Sequence, residues 1–208
     1  QVAALGTAQI GALSTAQIVA LESTDFAALN TAQIIALSSE QIAAMAERLA
    51  ARLEKQPDDG EGWSMLARSY AVTGQHAKAV PAFRKAAALI KDDPVLLADF
   101  ADALAMTQDR SIAGEPLKLV QKALEIDPGN VKALSLAGTE AFVRKDYKGA
   151  LTYWEKLKEV APPDSVFVQQ VQGGIAEARQ RAGLAAPAAS TAALGSAVKV
   201  KISRAAGS

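Results

Sequence analysis

Residues 61–94 read EGWSMLARSYAVTGQHAKAVPAFRKAAALIKDDP, two helical patterns set back to back. Trp63, Leu66, Ala67 and Tyr70 recur at the i, i+3, i+4, i+7 spacing of one helix face. Gly74 interrupts the pattern, and Ala79, Phe83 and Ala86 resume it on a second helix. The alternation of sizes has a mechanical use. Small Ala67 and Ala79 let the two helices approach closely, and large Trp63, Leu66 and Phe83 fill the gaps. The spacing predicts an antiparallel helical hairpin, with Pro94 opening the next unit.

The same spacing returns in phase. From Val131, the positions are filled by Leu134, Gly138, Ala141, Tyr147, Ala150, Trp154 and Leu157, closed by Pro162. Between the two units, Leu97, Phe100, Ala101 and Leu104 supply one helix. Leu117, Val120, Ala123 and Ile126 supply its partner, which ends at Pro128. The insertion TQDRSIAGEP (107–116) separates these helices and lengthens the middle unit. A period of about 34 residues with this pattern is the tetratricopeptide (TPR) repeat. An all-α superhelix of three TPR hairpins is therefore expected over roughly 60–164, with flanking helices. SVFVQQVQGGIAEARQRAG (165–183) reads as the capping helix that a terminal repeat needs over its apolar face. Its Gly173-Gly174 pair is unfavourable in a helix interior by about 1 kcal/mol per glycine, which predicts a kink or a close contact.

Composition agrees with this reading. Half of the 208 residues are hydrophobic, yet only 5% are aromatic; alanine, the best helix former, makes up much of the difference. Lys plus Arg and Asp plus Glu number 22 each, so the basic footprint of a nucleic-acid binder is absent. There is no cysteine, which excludes disulfides, thiolate metal sites and a cysteine nucleophile. No run of 18 apolar residues occurs, so no membrane span is expected in this chain. The start at Gln1 leads us to expect a processed chain or a fragment.

Two segments stand outside the TPR pattern. The first repeats every eight residues: GTAQIGAL (6–13), STAQIVAL (14–21), ESTDFAAL (22–29), NTAQIIAL (30–37) and SSEQIAAM (38–45). Ser14, Asn30 and Ser38 are good N-caps. Gln17, Gln33 and Gln41, three residues on, complete capping boxes. Leu13 with Ile18, Leu29 with Ile34 and Leu37 with Ile42 form hydrophobic staples. In one continuous helix the apolar stripe would drift by about 80° per octad. An eight-residue-repeat solenoid of short helices is therefore expected over 1–39, with a single apolar helix that seeks a partner chain as the alternative. The TPR domain with its flanking and capping helices would then occupy 40–183. The tail 184–208 holds a small-residue linker and SAVKVKIS (196–203), which alternates like the first strand of a truncated β-domain.

The chain offers little for catalysis. His76, the sole histidine, falls in a turn and reads as a solvated residue. No nucleophile, base or metal constellation converges, so no catalytic residue, metal site or cofactor is expected. Asp58-Asp59, Asp92-Asp93 and Asp127 sit at helix junctions and read as caps. What remains is the concave surface. In the TPR frame it is lined mainly by residues of the first helix of each hairpin. These are Glu61, Ser64, Arg68 and Val72, then Ala98, Asp102 and Met106, then Ser135, Thr139, Phe142 and Val143. An apolar floor with Arg68 and Asp102 as charged posts suits an amphipathic helix or extended peptide. It lacks the Lys/Arg-rich character of a clamp for acidic tails.

EGWSMLARSY (61–70), the GEP of the insertion (114–116), KALSLAG (132–138), YWEKL (153–157) and PPDS (162–165) carry a family resemblance. Over about 40–208 the chain resembles the periplasmic TPR domain of c-type cytochrome biogenesis factors of the CcmI/CycH type. The resemblance implies a periplasmic domain tethered to the bacterial inner membrane. It also implies a chaperone role: binding the C-terminal helix of apocytochrome c and presenting it to the haem-ligation machinery, without haem of its own. The sequence departs from that family where octads replace the membrane segments, and where the C-terminal domain stops after one strand. A fused or engineered origin is expected to account for both. The alternative function is structural, with the octads as a solenoid or self-association segment and the TPR as carrier.

Overall fold

The computed structural model describes residues 6, 8, 9, 12 and 37–184. The expected octad solenoid and the strand-like tail lie outside the described residues. Among these residues there are eight helices: α1 (Ser39–Lys55), α2 (Gly60–Val72), α3 (His76–Leu89), α4 (Pro94–Met106), α5 (Glu115–Ile126), α6 (Val131–Val143), α7 (Tyr147–Val160) and α8 (Val166–Arg181). The expected all-helical TPR fold is present. α2/α3, α4/α5 and α6/α7 are the three hairpins; α1 packs on α2, and α8 on α7 and α6.

Local chemistry sets the helix starts. Ser38 Oγ accepts from the Gln41 N–H at 3.2 Å, and Gln41 Oε1 accepts from the Ser38 N–H at 2.7 Å. Leu37 and Ile42, the staple across this capping box, are both buried. Asp59 accepts from the Gly62 N–H, and Asp93 from those of Val95 and Leu96. These two are the caps that the acidic pairs foreshadow. Asp127 does otherwise. It accepts from the Gly129 N–H at 2.9 Å and closes the turn before α6, while Asn130 caps that helix.

Small residues on facing helices do what the spacing predicts. Ala67, Ala79, Ala86, Ala123 and Ala150 are all fully buried. Phe83 and Phe100 stack with centroids 6.0 Å apart, joining the first hairpin to the second. The insertion is pinned by Ile112, which is buried in the core between α4, α5 and α6. Its loop ends at Gly114, whose φ of +81° favours glycine, and Glu115 and Pro116 open α5. The Gly173-Gly174 question resolves as a close contact, because α8 is unbroken. A Cβ on Gly174 would come within 2.8 Å of the Trp154 ring, and one on Gly138 within 2.3 Å of its Nε1. The indole is clasped between α6 and α8 by two glycines. Gly173 has open space beside it.

One surface pair ties α3 to α5. Arg84 Nη1 and Nη2 donate to Glu115 Oε1 and Oε2 at 2.7 and 3.1 Å. The hydrogen bond from Arg84 holds the Glu115 carboxyl below its ordinary value. A carboxyl depressed in the folded state contributes stability above its unfolded pKa, and loses it as pH falls through the folded value. Both side chains are about half exposed, so the contribution is under about 1 kcal/mol. Glu115→Gln is expected to lower stability by that small amount at neutral pH. The gap between the two proteins should close in acid, as read by urea melts across the carboxylate range.

Candidate functional site

The first helices of the hairpins, α2, α4 and α6, contact one another in sequence, and their exposed sides form the TPR concave face. A charged relay crosses it. Arg68 Nε on α2 donates to Asp99 Oδ2 on α4 at 2.9 Å, and Lys132 Nζ on α6 donates to Asp99 Oδ1 at 2.5 Å. Lys132 Nζ also stands 3.7 Å from Asp102 Oδ2. Asp99 is 13% exposed and satisfies both cations, whereas the Asp102 side chain is 47% exposed. The relay therefore links all three repeats and carries two positive and two negative charges.

Two cavities open on either side of it. One, of about 170 Å³, is lined by Arg68, Val72, His76, Phe83, Ala103 and the relay. The other, of about 320 Å³, is lined by Asp102, Lys132, Ser135, Leu136, Phe167 and Gln170. Asp102 and Lys132 belong to both and form the ridge between them. His76 is half-buried on the wall of the first cavity rather than solvated, and its Nδ1 has no hydrogen-bond partner.

The candidates take up different places. Arg68, Val72, Asp102 and Ser135 line the cavities. Val72, Met106 and Val143 end α2, α4 and α6 and are 42%, 39% and 69% exposed, an apolar row at equivalent positions. Thr139 is exposed too, its hydroxyl donating to Ser135 O. Two candidates need correction. Ser64 is 2% exposed and Ala98 is fully buried. In the first two repeats the fifth position is consumed by helix packing. Ala98 shares a core cluster with Ala133 and Ala137 of α6. Phe142 lies apart from both cavities, packed on Trp154 and Tyr147 beneath the guanidinium of Arg181.

Asp99, Lys132, Leu136 and Phe167 are the residues that sequence reading missed. Lys132 occupies the second position of its repeat, which had nominated Glu61 in the first, so the same frame could have found it. Asp99 and Leu136 occupy the sixth, a row outside that frame. Phe167 belongs to α8, where no repeat frame applies. Among the described residues, no group of three or more His, Asp or Glu is placed to hold a metal, and no helix is long and apolar enough to cross a membrane.

Three stacked helical hairpins, with an open face built from their first helices, define a TPR repeat domain. The chain belongs to the family described as Cytochrome c-type biogenesis protein H TPR domain, which matches residues 15–167. A second family, the ALTTAQ repeat, matches residues 1–22, overlapping the first octads. The cytochrome c-type biogenesis protein CycH of Pseudomonas aeruginosa is 37% identical over 164 residues, covering 75% of this chain and 40% of that protein. The cytochrome c-type biogenesis protein CcmH of Escherichia coli K12 is 27% identical over 135 residues, covering 64% of this chain and 38% of that protein. The formate-dependent nitrite reductase complex subunit NrfG of Escherichia coli O157:H7 is 24% identical over 117 residues, 56% of this chain and 59% of that subunit. The chain thus spans less than two thirds of the length of each of these relatives.

Proposed function

We propose that this chain is the peptide-binding TPR module of a cytochrome c maturation factor. It holds a helical segment of apocytochrome c, the C-terminal helix, for haem ligation at the periplasmic face of the inner membrane. The observation that supports this reading most is the groove itself: two adjoining cavities, an apolar row and an internally balanced set of charges, on the face that TPR arrays use for partners. The names of its relatives supply the pathway. The groove residues in this reading are Arg68, Val72, Asp102, Met106, Ser135, Thr139 and Val143, joined by Asp99, Lys132, Leu136 and Phe167.

Titrating the chain with a peptide of the C-terminal helix of a c-type cytochrome is expected to give saturable binding. Absence of binding overturns the reading. The ALTTAQ match favours a second, compatible role for the octads as a repeat in its own right. Removing residues 1–36 keeps Leu37 and Ser38, which start α1. Loss of self-association with peptide binding intact would assign assembly to the octads.

A further inference from the structure

The two cavities are small, partly apolar and adjoining, as sockets for large single side chains would be. The first, of about 170 Å³, is below the roughly 300 Å³ at which small-molecule sites begin, and the second, of about 320 Å³, lies at the bottom of that range. Phe83, Ala71 and Ala103 give the first an apolar lining, and Leu136 and Phe167 do the same for the second. The first is walled by α2, α3 and α4 with Lys132 of α6, the second by α4, α6 and α8, so their centres are offset along the helix stack. Packed helices stand about 8–10 Å apart. An α-helix presents the same face every seven residues, a rise of about 10.5 Å. One helical partner can therefore fill both sockets with side chains at i and i+7.

Charge fixes what lies between the anchors. Lys132 is drawn to Asp99 at 2.5 Å and stands only 3.7 Å from Asp102. Arg68 is also engaged by Asp99. Asp102 is thus the groove charge with the weakest compensation, and it sits on the ridge between the sockets with its carboxylate half exposed. A partner whose residue at i+3 or i+4 is Lys or Arg would bring a cation to it as the anchors seat. We infer that the groove reads an amphipathic helix by register: two large apolar side chains at i and i+7, with a basic residue midway over Asp102. This rests on the peptide-binding reading above and adds the code by which the peptide is chosen.

Short alanine-based helical peptides test the code against the full chain. The first carries Leu at i and i+7 with Arg at i+3. Others of identical composition move the second Leu to i+5, or exchange Arg for Glu. Fluorescence anisotropy is expected to show the i, i+7 peptide binding roughly tenfold or more tightly than the i, i+5 peptide, which seats one anchor. The Glu peptide should bind roughly three- to tenfold more weakly than the Arg peptide. Asp102→Asn should abolish that difference while leaving the spacing preference. Equal binding of all spacings overturns the register, as does an i, i+3 extended peptide outcompeting the helix. An Arg preference that survives Asp102→Asn overturns the role of Asp102. Where the cytochrome helix binds and none of the designed peptides does, the code fails and the peptide-binding reading stands. Where neither binds, both fail.

Discussion

Gly138→Ala is expected to lower the unfolding free energy by about 1–3 kcal/mol, the range for overpacking a filled core. The added methyl would lie 2.3 Å from Trp154 Nε1 and 2.4 Å from Cδ1. The indole is a rigid plane with no flexible end to yield. It is 4% exposed, backed by Phe142 at 5.7 Å and approached by Gly174 from α8. Relief requires α6 and α7 to separate, which would loosen the third hairpin. Thermal and urea unfolding check the size of the effect. Trp154→Phe in the same chain should recover part of the loss, because a smaller ring leaves room for the methyl. Gly173→Ala serves as the control. Its Cβ would enter open space, so the change is expected to stabilise α8 by about 0.5–1 kcal/mol through helix propensity and reduced unfolded-state entropy. Destabilisation by Gly173→Ala equal to that by Gly138→Ala would show that the Trp154 clasp is not the cause.

Asp99→Ala is expected to cost about 1–3 kcal/mol and to weaken peptide binding with it. Asp99 accepts from Arg68 and Lys132 together and is the most buried member of the relay. Its removal leaves Arg68 of the first repeat and Lys132 of the third with only the half-exposed Asp102, 3.7 Å from Lys132, to offset them. Breaking a fully buried pair costs roughly 3–5 kcal/mol. Arg68 and Lys132 retain 20% and 32% exposure, so water offsets part of that. Asp99→Asn keeps an acceptor without the charge and should fall between wild type and Asp99→Ala. Added salt should narrow the gap between wild type and both variants, because screening reduces repulsion between the remaining cations. Equal melts for wild type and Asp99→Ala would remove the relay from the account of how the repeats are held in line.

These two sites mark the boundary between what was legible along the chain and what was not. Helix number, hairpin pairing, the over-length middle unit and the capping helix are all written locally. They follow from apolar spacing, caps such as Ser38 and Asp59, and stops such as Gly74 and Pro162, each acting within a few residues of itself. The TPR period also told which helices face the groove. Where the groove is open could not be read that way. Ser64 and Ala98 hold the same frame position as Ser135, yet only Ser135 lines a cavity. The difference is whether the next helix in the stack closes over the position, which depends on packing angles summed over several repeats. Asp99 looks like any surface acid until α2 and α6 bring Arg68 and Lys132 to its two oxygens from 31 and 33 residues away. Gly174 looked like a flaw in a helix until Trp154, twenty positions earlier, was placed against it. Short-range spacing fixes the helices because propensity and capping are local. Pairing of charges, sockets and clasped rings belongs to the tertiary structure, because distant residues meet only after the hairpins have stacked.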